Sequence, residues 1–251
     1  MLWACGVTTV AARRSDLLPR TLESLRVAGF PSPRLFVDGG IPASALYRDL
    51  GLPTTVRDQV CRAVPDRPRV RAHGHAFGNW LLGALELLVR EPQADRYAIF
   101  QDDVIACRNL REYLERSTYP DHGYLNLYTV KLNERFKPRD QSKGWFVTSQ
   151  RGLGAVALVF SRDALLGVFS NDHLVRRLID LKRGPQAIDG GVVEAAKKAG
   201  WREYCHWPSL VQHIGTRSAI GNNLANPDPE KNFATAPSFP GEDHDALSYL
   251  P

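Results

Sequence analysis

The 251-residue chain is poor in the features that usually announce a protein class. Its four cysteines, Cys5, Cys61, Cys107 and Cys205, form no C-x-x-C pair and have no histidine partners at zinc-finger spacing. That argues against a structural zinc centre and points to a reducing compartment. Cys5 and Cys107 sit among apolar neighbours and are expected to be packed. No N-x-S/T sequon, internal repeat or low-complexity tract occurs. The opening MLWACGVTTVAARR has no basic residue ahead of its short apolar run. It is expected to be a first buried strand, neither a signal peptide nor long enough to span a membrane. A cytoplasmic location is the expectation. Nor is there much excess of charge: 32 basic against 27 acidic residues give a net charge of +5. This leans slightly towards a polyanionic ligand and is too small to argue nucleic-acid binding.

What is present is length and apolar content. With 43% hydrophobic residues the chain can bury a large core. Leu2–Thr9 reads as a strand. Ser15 and Asp16 offer N-cap chemistry for a helix carrying Leu18, Leu22 and Leu25 at helical spacing, and Gly29 is placed to stop it. PRLFVDGG is a second buried strand over 34–37, ending at Asp38. The resulting βαβ unit predicts a mostly parallel sheet with a ligand site at its carboxyl strand ends. Residues 41–72 read as irregular, FGNWLLGALELLVREP as a helix closed by Pro92, and Tyr97–Gln101 as a strand. GYLNLYTV is another strand, KLNERFKPRDQSK (131–143) a mobile polar loop, and GAVALVFSRDALLGVF a strand and a helix capped near Ser161. HLVRRLIDLKRG and IDGGVVEAAKKAGW follow as helices. The expectation is one α/β domain over 1–220, a Rossmann-like mostly parallel sheet flanked by helices, with 221–251 a draped or disordered tail.

The chemistry concentrates where YAIFQDDVIA runs off its strand at Asp102 and Asp103. Adjacent carboxylates repel, and burying them is costly unless something cationic meets them. One reading is a cap, with Asp103 serving the helix near Asn109–Arg116. The other is a hard divalent ion, which takes carboxylate and phosphate oxygens. Thr8 and Thr9 close the first strand and Asp38 the second, so oxygen ligands gather at one edge.

This ordered set resembles the GT-A fold, metal-dependent nucleotide-sugar glycosyltransferases. FQDD is similar to their EDD motif, GVTTVAARRSDLLPRTLESLRVAGF to their first strand and helix, and LFVDGG to their second strand. WPSLVQHIGTRSAIG is similar to the closing segment of the N-acetylglucosaminyltransferase IV-type families. The resemblance spans Val7 to Gly221. It implies sugar transfer from a nucleotide diphosphate donor, a UDP-sugar by preference, to an acceptor hydroxyl with inversion, using Mn²⁺ or Mg²⁺. It implies that Asp103 and His213 hold the metal. Asp102 would meet metal or donor ribose, Asp38 the nucleobase, Thr8 or Thr9 the same pocket, and Gly78 and Asn79 the nucleotide. Gln101 stands where the commonest motif forms carry an acid. Asp189, at the start of a helix, becomes the candidate general base, with Glu194 about one turn further on as an alternative.

Each of these residues also has a plainer reading. Asp38 before two glycines makes a turn. Asp189 serves equally as an N-cap. His213 between apolar residues is a packed histidine. Gly152 and Gly154 suggest close backbone approach to a sugar, or only the start of a strand. Trp145 and Trp201 pack or stack on ligand, with packing preferred, and His73 and His75 fit a solvated loop better than a metal pair. The bases Lys131, Arg135, Lys137, Arg139 and Lys143, and then Arg176, Arg177, Lys182 and Arg183, read as a solvated surface. Their other reading is a phosphate-rich acceptor such as a hydroxymethylated base in DNA. Two further alternatives are a nucleotidyltransferase and a non-catalytic nucleic-acid-binding protein. The first would call for a glycine-rich basic loop after the first strand, and TTVAARRS has the arginines without the glycines.

Overall fold

The computed structural model describes residues 1–39, 47–57, 68–179, 187–215 and 235–251, giving the backbone alone for 68–75 and 177–179. Strand β1 (Trp3–Val10) leads into helix α1 (Leu17–Val27), then β2 (Arg34–Asp38), β3 (Thr54–Arg57) and the long α2 (Pro68–Arg90). β4 (Arg96–Gln101), β5 (Val104–Ala106), α3 (Leu110–Arg116), β6 (Gly123–Asn126) and α4 (Lys131–Glu134) follow. β7 (Gly144–Val147), β8 (Ala157–Ser161), α5 (Arg162–Ser170), α6 (His173–Ile179), α7 (Ile188–Lys198), β9 (Arg202–Trp207) and β10 (Val211–His213) complete the order.

Eight strands form one central sheet in the order β3-β2-β1-β4-β8-β6-β9-β7. The β1/β2, β1/β4, β2/β3 and β6/β9 pairs are parallel. β8 runs antiparallel to β4 and to β6, and β7 antiparallel to β9. The fold is thus α/β with a mixed sheet and helices on both faces. Alternation along each strand feeds two cores, because successive side chains point to opposite faces. Val7, Leu35, Val37, Ala98 and Phe100 join the core shared with α1 and α3. Phe36, Tyr97, Ile99, Leu158 and Phe160 join the core under α2, α5 and α7.

Local chemistry sets the helix ends. The Asp16 carboxylate accepts from the Leu17 N–H and Ser161 Oγ from the Ala164 N–H. Gly29, at φ +98, lets the Gly29 and Phe30 amides turn back onto the Arg26 and Leu25 carbonyls, closing α1. Asp103 caps no helix. Asn109 holds the N-cap position of α3 without a side-chain bond, and the short β5 stands between it and the acidic pair. α2 begins within the stretch expected to be irregular. The 131–143 stretch expected to be mobile opens with α4 and is tied down, since Lys137 Nζ donates to the carbonyls of Pro138 and Gln141. Residues 235–251 fold against α3 and β9, with Ala246 fully buried. The Ala246 amide donates to the Arg108 carbonyl, Asn109 Nδ2 donates to Asp245 Oδ1, and Lys143 Nζ donates to the Leu250 carbonyl. His73, His75, Cys61, Arg177, Lys182, Arg183 and residues 216–234 lie outside the side chains described. Cys5, Cys107 and Cys205 are free thiols. Among the described residues no helix is long and apolar enough to cross a membrane.

His206 knits this end of the molecule together. It is fully buried, with the rings of Trp145 at 4.9 Å, Tyr249 at 5.2 Å and Tyr113 at 5.3 Å. The Pro208 carbonyl, 2.6 Å from Nδ1, can only accept, so Nδ1 carries the proton and Nε2 accepts from the Tyr113 hydroxyl at 2.7 Å. Burial lowers the His206 pKa from 6.5 to about 4. The unfolded chain therefore takes up a proton near pH 6.5 that the folded chain refuses until about pH 4. Stability from this group is complete above pH 6.5 and is lost as pH falls, by up to about 3 kcal/mol. His206→Phe removes both hydrogen bonds and the titration together. Denaturation at pH 7.5 and pH 4.5 should show the variant's penalty shrinking strongly at the lower pH. An equal penalty at both would contradict the buried neutral ring.

Candidate active site

The acidic pair lies where β4 ends. Gln101 is the last residue of the strand, and the chain turns through Asp102 and Asp103 into β5. α1 makes that turn possible: buried Thr21 Oγ1 accepts from the Val104 amide and Ser24 Oγ from the Ala106 amide, satisfying one edge of β5. The other edge pairs antiparallel with β10, with His213 opposite Val104. The Ile214 amide donates to the Asp103 carbonyl at 2.8 Å. This ribbon carries His213 Nε2 to 3.0 Å from Asp103 Oδ2. A Cβ on Gly215 would stand 2.7 Å from the same oxygen, so the backbone closes on the pair from the far side.

Both acids are buried, at 8% and 7% exposure. Asp102 Oδ2 accepts from Thr9 Oγ1 at 2.6 Å. Burial, followed by repulsion from Asp103, raises the Asp102 pKa to about 7, against the opposing pull of Thr9 and Arg13. Arg13 Nη2 lies 3.7 Å from Asp103 Oδ2. Asp103 Oδ1 is buried and meets no hydrogen-bond donor. The phenolic oxygen of Tyr128 is likewise buried without a partner, and its ring stands 6.3 Å from that of His213. Burial raises the Tyr128 pKa, and the charge of Asp103 raises it further.

Among the described residues no group of three or more His, Cys, Asp or Glu side chains converges as a metal cage. Asp103 and His213 supply two donors, and Asp103 Oδ1 leaves a buried lone pair to satisfy. A hard or borderline divalent ion fits this oxygen-and-imidazole set if ligand phosphate or water supplies its remaining oxygens.

The remaining predicted residues line the same edge or brace it. Thr8 Oγ1 donates to the Phe100 carbonyl at 3.3 Å. Asp38 ends β2, 8% exposed, with its charge felt by Arg57. Gly78 and Asn79 sit on α2. There Asn79 Nδ2 donates to the Phe36 carbonyl at 2.8 Å and Asn79 Oδ1 accepts from Arg57 Nη1 at 3.0 Å. Asn79 thereby ties α2 to β2 and β3.

Asp189 is in the first turn of α7 but is not its N-cap; Ala187 holds that position. Its Oδ1 accepts from the Gly190 amide at 2.9 Å and its Oδ2 from the Gly154 amide at 3.2 Å. The close approach at Gly152 and Gly154 is therefore to the chain's own catalytic candidate. A Cβ on Gly152 would lie 2.2 Å from the Asp189 carbonyl oxygen. A Cβ on Gly154 would lie 2.6 Å from the Tyr128 ring. Gln101 Nε2 donates to the Ala155 carbonyl at 3.2 Å. Segment 152–155 thus joins Asp189, Tyr128 and the end of β4 into one edge of the sheet. Glu194 lies further along α7 and meets Lys197 at 3.9 Å.

The tryptophans pack: Trp145 stacks on Tyr113, and Trp201 lies against Gly167 and His122. Arg176 pairs with Asp172. Arg13, Tyr47, Tyr128 and Glu203 were not singled out from the sequence. The basic pair right after β1 was a visible signal for Arg13. Tyr47, whose buried phenol feels the charge of Asp102, and Tyr128 carry no local mark.

No protein-family model matches the chain, and no curated protein matches it. Several solved structures are similar to it at low identity. Mannose-1-phosphate geranyltransferase from Thermus thermophilus is 16% identical over 82% of this chain and 73% of its own, with a TM-score of 0.47. The nucleoside-diphosphate-sugar pyrophosphorylase from Vibrio cholerae is 12% identical over 90% and 100%, with a TM-score of 0.44. Mouse xyloside xylosyltransferase 1, in its apo form, is 13% identical over 78% and 81%, with a TM-score of 0.41. At these scores no activity passes from them to this chain.

Proposed function

We propose that this protein is a metal-dependent glycosyltransferase, of the GT-A kind, that moves a sugar from a nucleotide diphosphate, a UDP-sugar by preference, to an acceptor hydroxyl with inversion. One observation carries the reading. Asp103 and His213, 110 residues apart, meet at 3.0 Å with one buried carboxylate oxygen unsatisfied, at the strand edge that also holds Asp189. Asp103 and His213 would hold Mn²⁺ or Mg²⁺, which when bound supplies charge stabilisation to a leaving diphosphate. Asp102 would meet the metal or the donor ribose. Asp38 would meet the base, Thr8 or Thr9 would line the same pocket, and Gly78 and Asn79 would serve the nucleotide from α2. Asp189 takes the proton of the acceptor hydroxyl. The acceptor oxygen bonds to the sugar C1 as the C1–O(phosphate) bond breaks, and its electron pair leaves with the nucleoside diphosphate.

The test does not require the acceptor. Thermal unfolding with UDP, GDP or CDP, each with and without Mn²⁺, should show one nucleotide stabilising the protein only with metal. At a hundredfold excess over Kd the gain is about 2.7 kcal/mol, roughly 5–11 °C in Tm for a chain this long. Stabilisation indifferent to metal would remove the metal from the reading. Labelled donors offered with glycans, lipids and hydroxymethylated DNA would then identify the acceptor.

Arg13 favours a second reading, a nucleotidyltransferase. It follows β1 in a 3-10 turn and lies 3.7 Å from Asp103, where a basic group could meet a triphosphate. Pyrophosphate release from a nucleoside triphosphate and a sugar 1-phosphate would decide for it.

A further inference from the structure

Glu203, on β9, is an acid that the proposed reaction leaves unused. It is 2% exposed, and among the described residues no basic side chain bonds to it. An acid in such a place is costly unless neutral donors satisfy it fully. Here they do. Thr148 Oγ1 accepts from the Gln150 amide and from Gln150 Nε2, so its own proton goes to Glu203 Oε2 at 2.7 Å. Asn126 Oδ1 accepts from the Tyr128 amide, which turns Nδ2 towards Glu203 Oε1 at 3.2 Å and the Leu153 carbonyl at 3.0 Å. The Tyr124 hydroxyl is a third donor, 3.2 Å from Oε1. Two of the three partners can only donate, which is the pattern a carboxylate requires.

The same groups grip segment 148–154. Gln150 exchanges two bonds with the Glu203 backbone, at 2.8 and 3.0 Å. Gln150, Gly152 and Gly154 all have positive φ, at 56, 68 and 76°. The glycines adopt this conformation freely, whereas Gln150 keeps it only because its surroundings hold it there. Its last member bonds Asp189.

We propose that Glu203 is a positioning residue for Asp189: through Asn126, Thr148 and Gln150 it fixes the segment whose Gly154 amide orients the Asp189 carboxylate. The proposal rests on Asp189 being the base of the transfer reaction. The two acids also feel each other's charge. Burial raises the proton affinity of Glu203, its three donors lower it, and the charge of Asp189 raises it again. Coulomb coupling is mutual, so Glu203 acts on Asp189 in the same sense. The other titratable groups facing Glu203 are Tyr124 on β6 and Cys205 on its own strand, both driven further towards the neutral form.

Carboxyl ¹³C NMR of the full chain, with Asp189→Asn to assign the resonance, tests this. In Glu203→Gln the Asp189 titration should move down by about one pH unit, a tenfold loss of proton affinity. The acidic limb of the kcat profile for transfer should move with it. A folded Glu203→Gln protein with the Asp189 titration unmoved overturns the proposal. Thr148→Val keeps the charge and loosens the segment. It should lower kcat roughly tenfold with donor KM unchanged, and it carries the test if Glu203→Gln does not fold; an unchanged kcat overturns the positioning. Full transfer activity in Asp189→Asn would instead refute Asp189 as base, whatever the titration shows.

Discussion

Asp103→Asn should abolish metal-dependent nucleotide binding while leaving the ligand-free protein about as stable as the wild type. The two halves have separate causes. In the free protein Asp103 gains a bond from His213 and the nearby charge of Arg13, and it suffers repulsion from Asp102. Asparagine keeps an acceptor for His213 and removes the repulsion, so gains and losses offset to within about 1 kcal/mol. With donor present the balance changes, because the amide cannot neutralise a divalent ion. Losing several kcal/mol of charge stabilisation corresponds to a rate loss of at least about a hundredfold. Calorimetric titration with UDP and Mn²⁺, beside thermal unfolding without ligand, separates the two. A variant that unfolds early and still binds nucleotide with metal would show Asp103 to be structural. His213→Ala should reproduce the binding loss, since it removes the second donor.

Gly152→Ala is the other change with a large expected effect, and it acts without touching a charge. The new methyl would lie 2.2 Å from the Asp189 carbonyl oxygen and 2.5 Å from its carbon, both backbone atoms that no rotamer change can clear. The residue also sits at φ +68, which costs a non-glycine residue about 1–2 kcal/mol. Together these should remove about 3 kcal/mol of stability, or roughly 6–12 °C of Tm. The start of α7 must shift, carrying Asp189 off its line, so transfer should fall at least as far as in Asp189→Asn. Donor binding should survive, because Asp103 and His213 belong to a different ribbon. Unfolding within a degree of the wild type would mean that segment 152–154 does not press on α7. Gly51, at φ +62 with open space around it, supplies the control for backbone strain alone.

Much of this architecture is written locally. Asp16, Gly29 and Ser161 cap or end helices by contacts with neighbours one to five residues away, so their roles follow from residue type and position. Apolar runs such as LFV and YAIF can only be strands covered on both faces, and the acids that end them fall where α/β sheets bind ligands. The pairing of Asp103 with His213 is different. It depends on β5 and β10 finding each other across 110 residues, and on α1 satisfying the edge that the ribbon leaves bare.

The same holds for Asp189. A carboxylate near a helix start reads equally as a cap, and only the packing of segment 152–154 against α7 makes it a clamped, half-buried acid. Glu203 in REYCHW looks like any polar strand residue until β6 and segment 148–154 close over it, bringing donors from 55 to 79 residues away. Secondary structure and the edge of the sheet that binds are set by short-range sterics and the period of the apolar residues. Which polar side chains meet is set by long-range closure of the chain, and the cost of leaving any of them unsatisfied once buried is what holds the meeting in place.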